Sequence, residues 1–362
     1  KMCIRDRSYI ALFYYNYLCL IKKGFLMKNS FLRRRVFDLR VGVKDLLWGI
    51  KNPESFKRKN NLSPIMGRFS SYKFELLSGV KSDDYLSDSF YFNRVEGKIN
   101  NFELSDYFNH KGYLPSILQS NAIPLLINSI SGVVYDADDN VIDVNSAVDR
   151  LRNDPINDEF VIKRSVGTGG GESVEIGNAD KIIPFFNLYY KKKYDFVIQP
   201  LVNQHDKLAE FNPTSLNTVR IMTLAYDGNV HHVSSMVKMG GPGGRIDNVS
   251  AGGLCIGIKN DGSLTSFGFD CYLNKTTRHP QTNLEFPEHY EVPYFHEMID
   301  VVKAKHQLFK SHGIISWDVS VDNDGYVTIV ECNTAWSGLE SHQAFHGPVF
   351  KEHMEYIKNI NS

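Results

Sequence analysis

The chain has 362 residues, 41 of them basic and 41 acidic, enough for one large or a few small globular domains and without the cationic excess that neutralising nucleic-acid phosphates requires. No nucleic-acid partner is therefore expected. The five cysteines, Cys3, Cys19, Cys255, Cys271 and Cys332, are odd in number and contain no Cys-x-x-Cys pair, so neither a disulfide framework nor a thiolate metal site is indicated and a cytoplasmic setting is expected.

Residues 8–21, SYIALFYYNYLCLI, form an apolar run flanked by Arg5, Arg7, Lys22 and Lys23. The run is shorter than the roughly 20 residues of a spanning helix, and no small-residue cleavage site follows it. A membrane partner is not expected. Met27 is the expected natural start, and residues 1–26 are the expected non-native or unstructured extension, with a short membrane-associated helix as the alternative. Residues 27–105 read as short amphipathic helices without a chemical motif.

Residues 106–120 are expected to be helical, ending before Ile123-Pro124, and residues 145–153 helical again, stopping at Asp154-Pro155, because proline disfavours helix in the residue before it. A strand from Glu159 to Arg164, a glycine run, a strand from Glu172 to Ile176, a helix from Ala179 to Lys192 and a strand from Phe196 to Gln199 follow. Strands then dominate. Asn217–Tyr226 and Val230–Met239 flank Asp227-Gly228-Asn229, and Gly253–Lys259 and Leu264–Phe269 flank Asn260–Ser263. A helix near Pro293–Ser311 precedes a last hairpin, Ile314–Val321 and Tyr326–Asn333.

Two constellations carry chemistry. In FVIKRSVGTGGGESVEIG, residues 160–177, Lys163 ends a strand and Gly167, Gly169, Gly170 and Gly171 occupy the loop after it. Glycines let backbone N–H groups approach phosphate oxygens, and Lys163 adds a point charge. The run opens a strand rather than a helix, which disfavours a Walker A loop and a dinucleotide fingerprint. A mobile flap between two strands, closing over a triphosphate, fits better, the alternative being a plain glycine-rich hairpin with an exposed lysine.

In WDVSVDNDGYVTIVECN, an even-numbered loop would pair Asp318 with Ile329. Glu331 is then its diagonal neighbour and Asn333 lies further along the same face. Two carboxylates side by side on a sheet repel unless a cation lies between them, and Mg2+ bridging nucleotide phosphates suits them. Arg220 and Lys238 are expected as a cross-strand pair about a three-residue turn. The glycine-rich loop 240–254 reads as a binding loop, with Arg245 and Asn248 as candidates for substrate or phosphate contact. His342 and His346 are four apart but lack a third ligand, and Cys332 is expected to face a buried side.

The motifs VIKRSVGTGGGESV, SLNTVRIMTL and IVECN resemble the ATP-grasp superfamily. More narrowly, Lys111 to about His346 is similar to the sugar-transfer-associated ATP-grasp family, itself similar to alpha-L-glutamate-ligase-like proteins. The resemblance implies an α+β fold in which two α+β subdomains, residues 106–202 and 203–362, clasp ATP behind a mostly helical region, 27–105. It further implies that Lys111 and Lys163 contact phosphates and that Gln199, Leu201 and Val202 belong to the adenine hinge. Gln199 stands where the family usually has an acid. Asp206, with Glu210 as the alternative, would bind ribose, and Arg220 with Lys238 would stabilise the transferring phosphoryl group. Asp318, Glu331 and Asn333 would hold magnesium.

The implied activity is an ADP-forming ligase joining a small-molecule carboxylate to an amine or sugar nucleophile, in a polysaccharide or sugar-conjugate setting. The alternatives are a small-molecule or sugar kinase on the same scaffold and a non-catalytic nucleotide-binding partner of a transferase. Oligomeric state is not legible.

Overall fold

The computed structural model describes residues 43, 46–57, 60, 67–167, 173–249, 252–286 and 290–362. The expected extension 1–26 and the flap residues Gly169, Gly170 and Gly171 lie outside them. The described residues form two units, Ile99–Val349 and the residues before Ile99 together with Phe350–Ser362.

In the latter unit the described elements are helical, the longest being Gly67–Ser78. Phe74 packs against Tyr85 and Tyr91 against Phe350. Lys98 donates to the Ile360 carbonyl and Asn361 to that of Arg94, which fastens the C-terminal turn.

The larger unit holds two antiparallel sheets. The first is built from β1 (Ile127–Ile130), β2 (Val133–Asp136), β3 (Val141–Ile142), β4 (Phe160–Arg164), β5 (Val174–Gly177) and β6 (Phe196–Pro200), in the order β3-β2-β1-β6-β4-β5. Strand alternation decides its two faces. Phe160, Ile162, Phe196 and Ile198 pack with Ile182, Ile183 and Phe186 of the helix Ala179–Lys191 and with Ala147 and Leu151 of the helix Val144–Arg152. The intervening residues Lys163, Val197 and Gln199 therefore point away from those helices. Asp143 and Asn178 cap the two helices by accepting from backbone N–H groups of the first turn.

The second sheet comprises β7 (Thr218–Tyr226), β8 (Asn229–Met239), β9 (Leu254–Ile258), β10 (Leu264–Phe269), β11 (Lys275–Thr276), β12 (Ile314–Val321) and β13 (Val327–Asn333), in the order β11-β10-β9-β8-β7-β12-β13. Val219, Ile221, Val237, Met239, Trp317 and Val319 share a core with Met298, Ile299 and Val302 of the helix Phe295–His306. By the same alternation Arg220, Lys238 and Asp318 take the opposite face. Among the described residues, no helix is long and apolar enough to cross a membrane.

Several expectations need correction. Residues 106–120 are not one helix: Phe102–Phe108 and Leu114–Leu118 are separated by a turn. There the Lys111 N–H donates to the Ser165 carbonyl, and a Cβ on Gly112 would clash with the Asn128 side chain at 2.5 Å. Strands β1 to β3 and β11 were not foreseen. β7 and β8 join through two residues, Asp227 and Gly228, both at positive φ, the backbone that fits a twisted hairpin. A register shift between Met222 and Thr223 then sets Lys238 opposite Thr218, and Arg220 opposite Met236.

The last hairpin also differs. Val321 pairs with Val327, leaving a five-residue loop rather than an even one, and Val319 pairs with Ile329. Regular pairing would next set Asp318 opposite Val330 and turn Glu331 into the core. Instead a bulge shifts the register, Asp318 faces Glu331 directly, and Ser316 faces Asn333. The phase change shows in burial: Val327, Ile329 and then Cys332 enter the core. Asp318, Glu331 and Asn333 thus share one face through a register different from the expected one.

Candidate active site

The charged groups of the two sheets meet around Asp318, which is 2 % exposed. Arg220 lies opposite it on β7 and grips it with both arms, Nε to Oδ1 and Nη2 to Oδ2, each at 2.8 Å. Lys238 Nζ adds a third bond to Oδ2 at 3.1 Å. Burial alone would raise the Asp318 pKa, but Arg220 and Lys238 overcome it and hold the carboxyl well below the carboxylate range. Burial likewise opposes the charges on Arg220 and Lys238, and the surrounding carboxylates more than restore both.

Glu331 is bound through Oε1 by Lys111 Nζ at 3.1 Å. Burial would raise its pKa, yet Lys111 and Lys163 keep it below the ordinary value against the opposing charge of Asp318. Lys163 is 7 % exposed and its ammonium makes no hydrogen bond among the described residues. Burial pushes its ammonium down to about 8, assisted by Lys111, while Glu331 and Asp247 pull the other way. A buried, poorly satisfied ammonium is costly by itself and suits a site awaiting an anion.

Three side chains of the cluster carry oxygens of the kind that magnesium takes. Asp318 Oδ1 accepts a single bond and keeps a lone pair, Glu331 Oε2 has no partner among the described residues, and Asn333 is oriented by donating Nδ2 to the Ser316 carbonyl at 3.3 Å. These oxygens fit a hard cation. Among the described residues no cluster of three or more His, Cys, Asp and Glu side chains is placed to hold a metal, so an ion here would rest on two carboxylates, one amide and oxygens from a nucleotide.

Of the other residues singled out in the sequence, Gly167 adopts φ +70°, a conformation that favours glycine. Gln199 is buried, donates Nε2 to the Ile123 carbonyl at 3.4 Å and leaves Oε1 without a partner. With Lys111, Ile123 and Ile329 it lines a narrow pocket. Leu201 is partly exposed, and Val202 follows it in the connection out of β6. Asp206 exchanges hydrogen bonds with Asn323 in the β12–β13 loop, so that loop and the segment after β6 are tied together.

Arg245 is not bonded to the Asp318 cluster. Its guanidinium forks onto Glu159 at 2.7 and 2.8 Å, just before β4. Asn248 accepts through its carbonyl from the Gly253 N–H, closing the loop. Asp247, which sequence reasoning did not select, does reach the cluster: Oδ2 accepts from Lys238 Nζ at 3.3 Å and from the Thr218 hydroxyl. Asn128 was also missed; its Oδ1 is buried without a partner on the face that bears Lys163. A β-hairpin pattern, Ile127 to Asp136 around Ser131-Gly132, was the available signal.

Two antiparallel sheets with a shared cleft of alternating cations and carboxylates define an ATP-grasp fold of the α+β class, with a helical region ahead of it. Residues 185–359 match the model of the sugar-transfer associated ATP-grasp family. No curated protein matches. Among solved structures the chain is similar to D-cycloserine synthetase DcsG, at 14% identity over 72% of this chain and 73% of that one, with a TM-score of 0.44. It is similar to D-alanyl-alanine synthetase A from Vibrio cholerae at 9% identity over 72% and 66%, with a TM-score of 0.41. For biotin carboxylase from Campylobacter jejuni the identity is 10% over 73% and 48%, with a TM-score of 0.43. The chain spans less than half the length of that carboxylase.

Proposed function

We propose that this protein is an ATP- and magnesium-dependent ligase that joins a carboxylate to an amine-type nucleophile through an acyl phosphate. The observation that carries the reading is the interleaving of Lys111, Lys163, Arg220 and Lys238 with Asp318 and Glu331 in one cleft. Fixed cations preorganised around an incoming triphosphate supply the electrostatic stabilisation that phosphoryl transfer needs. Lys111 and Lys163 bind phosphate oxygens, and Gln199 meets the base with its unpartnered amide oxygen. Arg220 and Lys238 face the carboxylate that accepts the γ-phosphoryl group: a P–O bond to that carboxylate forms, the bond to ADP breaks, and the nucleophile then displaces phosphate. Asp318, Glu331 and Asn333 would hold magnesium, which supplies charge neutralisation between the phosphates when bound. The family description supports a setting in polysaccharide or sugar-conjugate synthesis.

Hydroxylamine trapping tests the reaction. With ATP, magnesium and a mixture of L-amino acids and sugar acids, a ligase releases ADP and leaves a hydroxamate. A stable phosphorylated product without hydroxamate would instead make the protein a kinase, and ATP binding without turnover would leave it a nucleotide-binding partner.

A further inference from the structure

Three carboxylates lie among the cations of the cleft, and the proposed reaction uses two. Asp318 is committed to Arg220 and Lys238, and Glu331 to Lys111. Asp247 differs from both in riding on the loop between β8 and β9 rather than on a strand. Its side chain is 19% exposed, and its contacts, like that of Glu331, fall on one oxygen, here Oδ2. Oδ1 accepts no hydrogen bond among the described residues. A carboxylate beside a polyphosphate site raises the local repulsion unless a cation meets it, and Lys238 is already shared with Asp318.

The loop is fastened so as to hold Asp247 there. A Cβ on Gly241 would collide with the Gly252 carbonyl, and one on Gly253 with the Met239 carbonyl, so its limbs touch backbone to backbone at the base. Two residues before Asp247, Arg245 forks onto Glu159, securing the same limb to the sheet that carries Lys163. An acid fixed from both sides, with one oxygen open, is placed to meet a ligand.

We propose that Asp247 binds the acceptor as an ammonium ion and removes one of its protons, so that the nucleophile is a primary amine rather than a hydroxyl or an amide. The inference rests on the ligase reading. The ammonium gives one proton to Asp247 Oδ1 and recovers its lone pair. The nitrogen attacks the acyl phosphate, the C–N bond forms, the C–O bond to phosphate breaks, and the second proton leaves with the phosphate. Asp247 then returns its proton to solvent.

The test compares two nucleophiles in the full chain with ATP, magnesium, and a mixture of the common L-amino acids, glucuronate and galacturonate. Hydroxylamine is uncharged at neutral pH and needs no base to free its lone pair; ethanolamine and glucosamine arrive as ammonium ions. In Asp247→Asn the ratio of amide to hydroxamate is expected to fall roughly a hundredfold, the lower end of general-base contributions, and Asp247→Glu restores part of it. Thr218→Val, which removes only the anchor of Asp247, lowers the same ratio by less. A ratio unchanged in Asp247→Asn, or wild-type hydroxamate without any amide from the two amines, overturns the assignment while the ligase reading stands. Neither product from the wild type overturns the ligase reading and the assignment together.

Discussion

Asp318 stands directly opposite Glu331 across β12 and β13, because one extra residue in β13 shifts the pairing between Asp318 and Val319. The geometry makes Asp318 the hub of the cleft, and its charge is sustained by Arg220 and Lys238. Arg220→Met would leave a buried carboxylate with a single cation. Breaking a buried pair from one side is expected to cost about 3 kcal/mol, and Arg220→Met/Asp318→Leu should recover much of it. Urea unfolding of the two variants measures this; an equal loss in both would show that the pair is not what stabilises the strand contact.

Lys163 sets stability against function. Its buried ammonium makes no hydrogen bond among the described residues, so Lys163→Met should raise the melting temperature of the ligand-free protein. The same change should weaken ATP binding by about 1.5–3 kcal/mol, the range for a hydrogen bond to a charged group. Thermal unfolding and ATP titration together check the trade. A melting temperature that drops with unaltered affinity would mean that Lys163 serves packing alone.

A buried polar chain supports the second sheet from behind. Trp317 Nε1 donates to Thr223 Oγ1 at 2.8 Å, the Thr223 hydroxyl meets His306 Nδ1 at 2.7 Å, and His306 Nε2 donates to the His312 carbonyl at 2.9 Å. Because a carbonyl only accepts, Nε2 carries the proton and Nδ1 receives the threonine. Thr223→Val strands both the indole and the imidazole, with an expected loss of about 2 kcal/mol or more, read from denaturant midpoints. Wild-type stability in that variant would contradict the chain.

The buried histidines also give a pH dependence. Burial lowers His306 and His312 from the ordinary 6.5 to about 4, so between those values the unfolded chain binds more protons than the native one. Their contribution to stability is therefore complete above about 6.5, declines as the pH falls, and levels off below about 4. Unfolding at pH 7.5 and pH 5 should show the native state weaker at the lower value. Equal midpoints would mean that these rings are solvated.

Much of this was readable from residue patterns, and the failures have physical causes. The strands from β4 onward, β11 apart, and the facing of Asp318, Glu331 and Asn333, followed from alternation with period two. The register did not, since loop parity and a bulge at Val330 depend on what the core accepts; two shifts happened to restore the expected face. The short strands β1 to β3 escaped notice because they have two to four residues each, too few for alternation to show. The helix expected over 106–120 breaks where Lys111 and Gly112 meet Ser165 and Asn128, contacts that no local pattern encodes. Asp247 and the Arg245–Glu159 pair were hidden for the same reason, Glu159 being 86 positions from its partner.

The most direct test of the account is calorimetric titration of ATP into the full chain, with and without magnesium, for the wild type and for Glu331→Gln. The account predicts that the wild type binds ATP more tightly with magnesium, and that Glu331→Gln still binds ATP but loses that dependence while keeping its fold by circular dichroism. No ATP binding by the wild type, or a magnesium dependence that survives in Glu331→Gln, would contradict it.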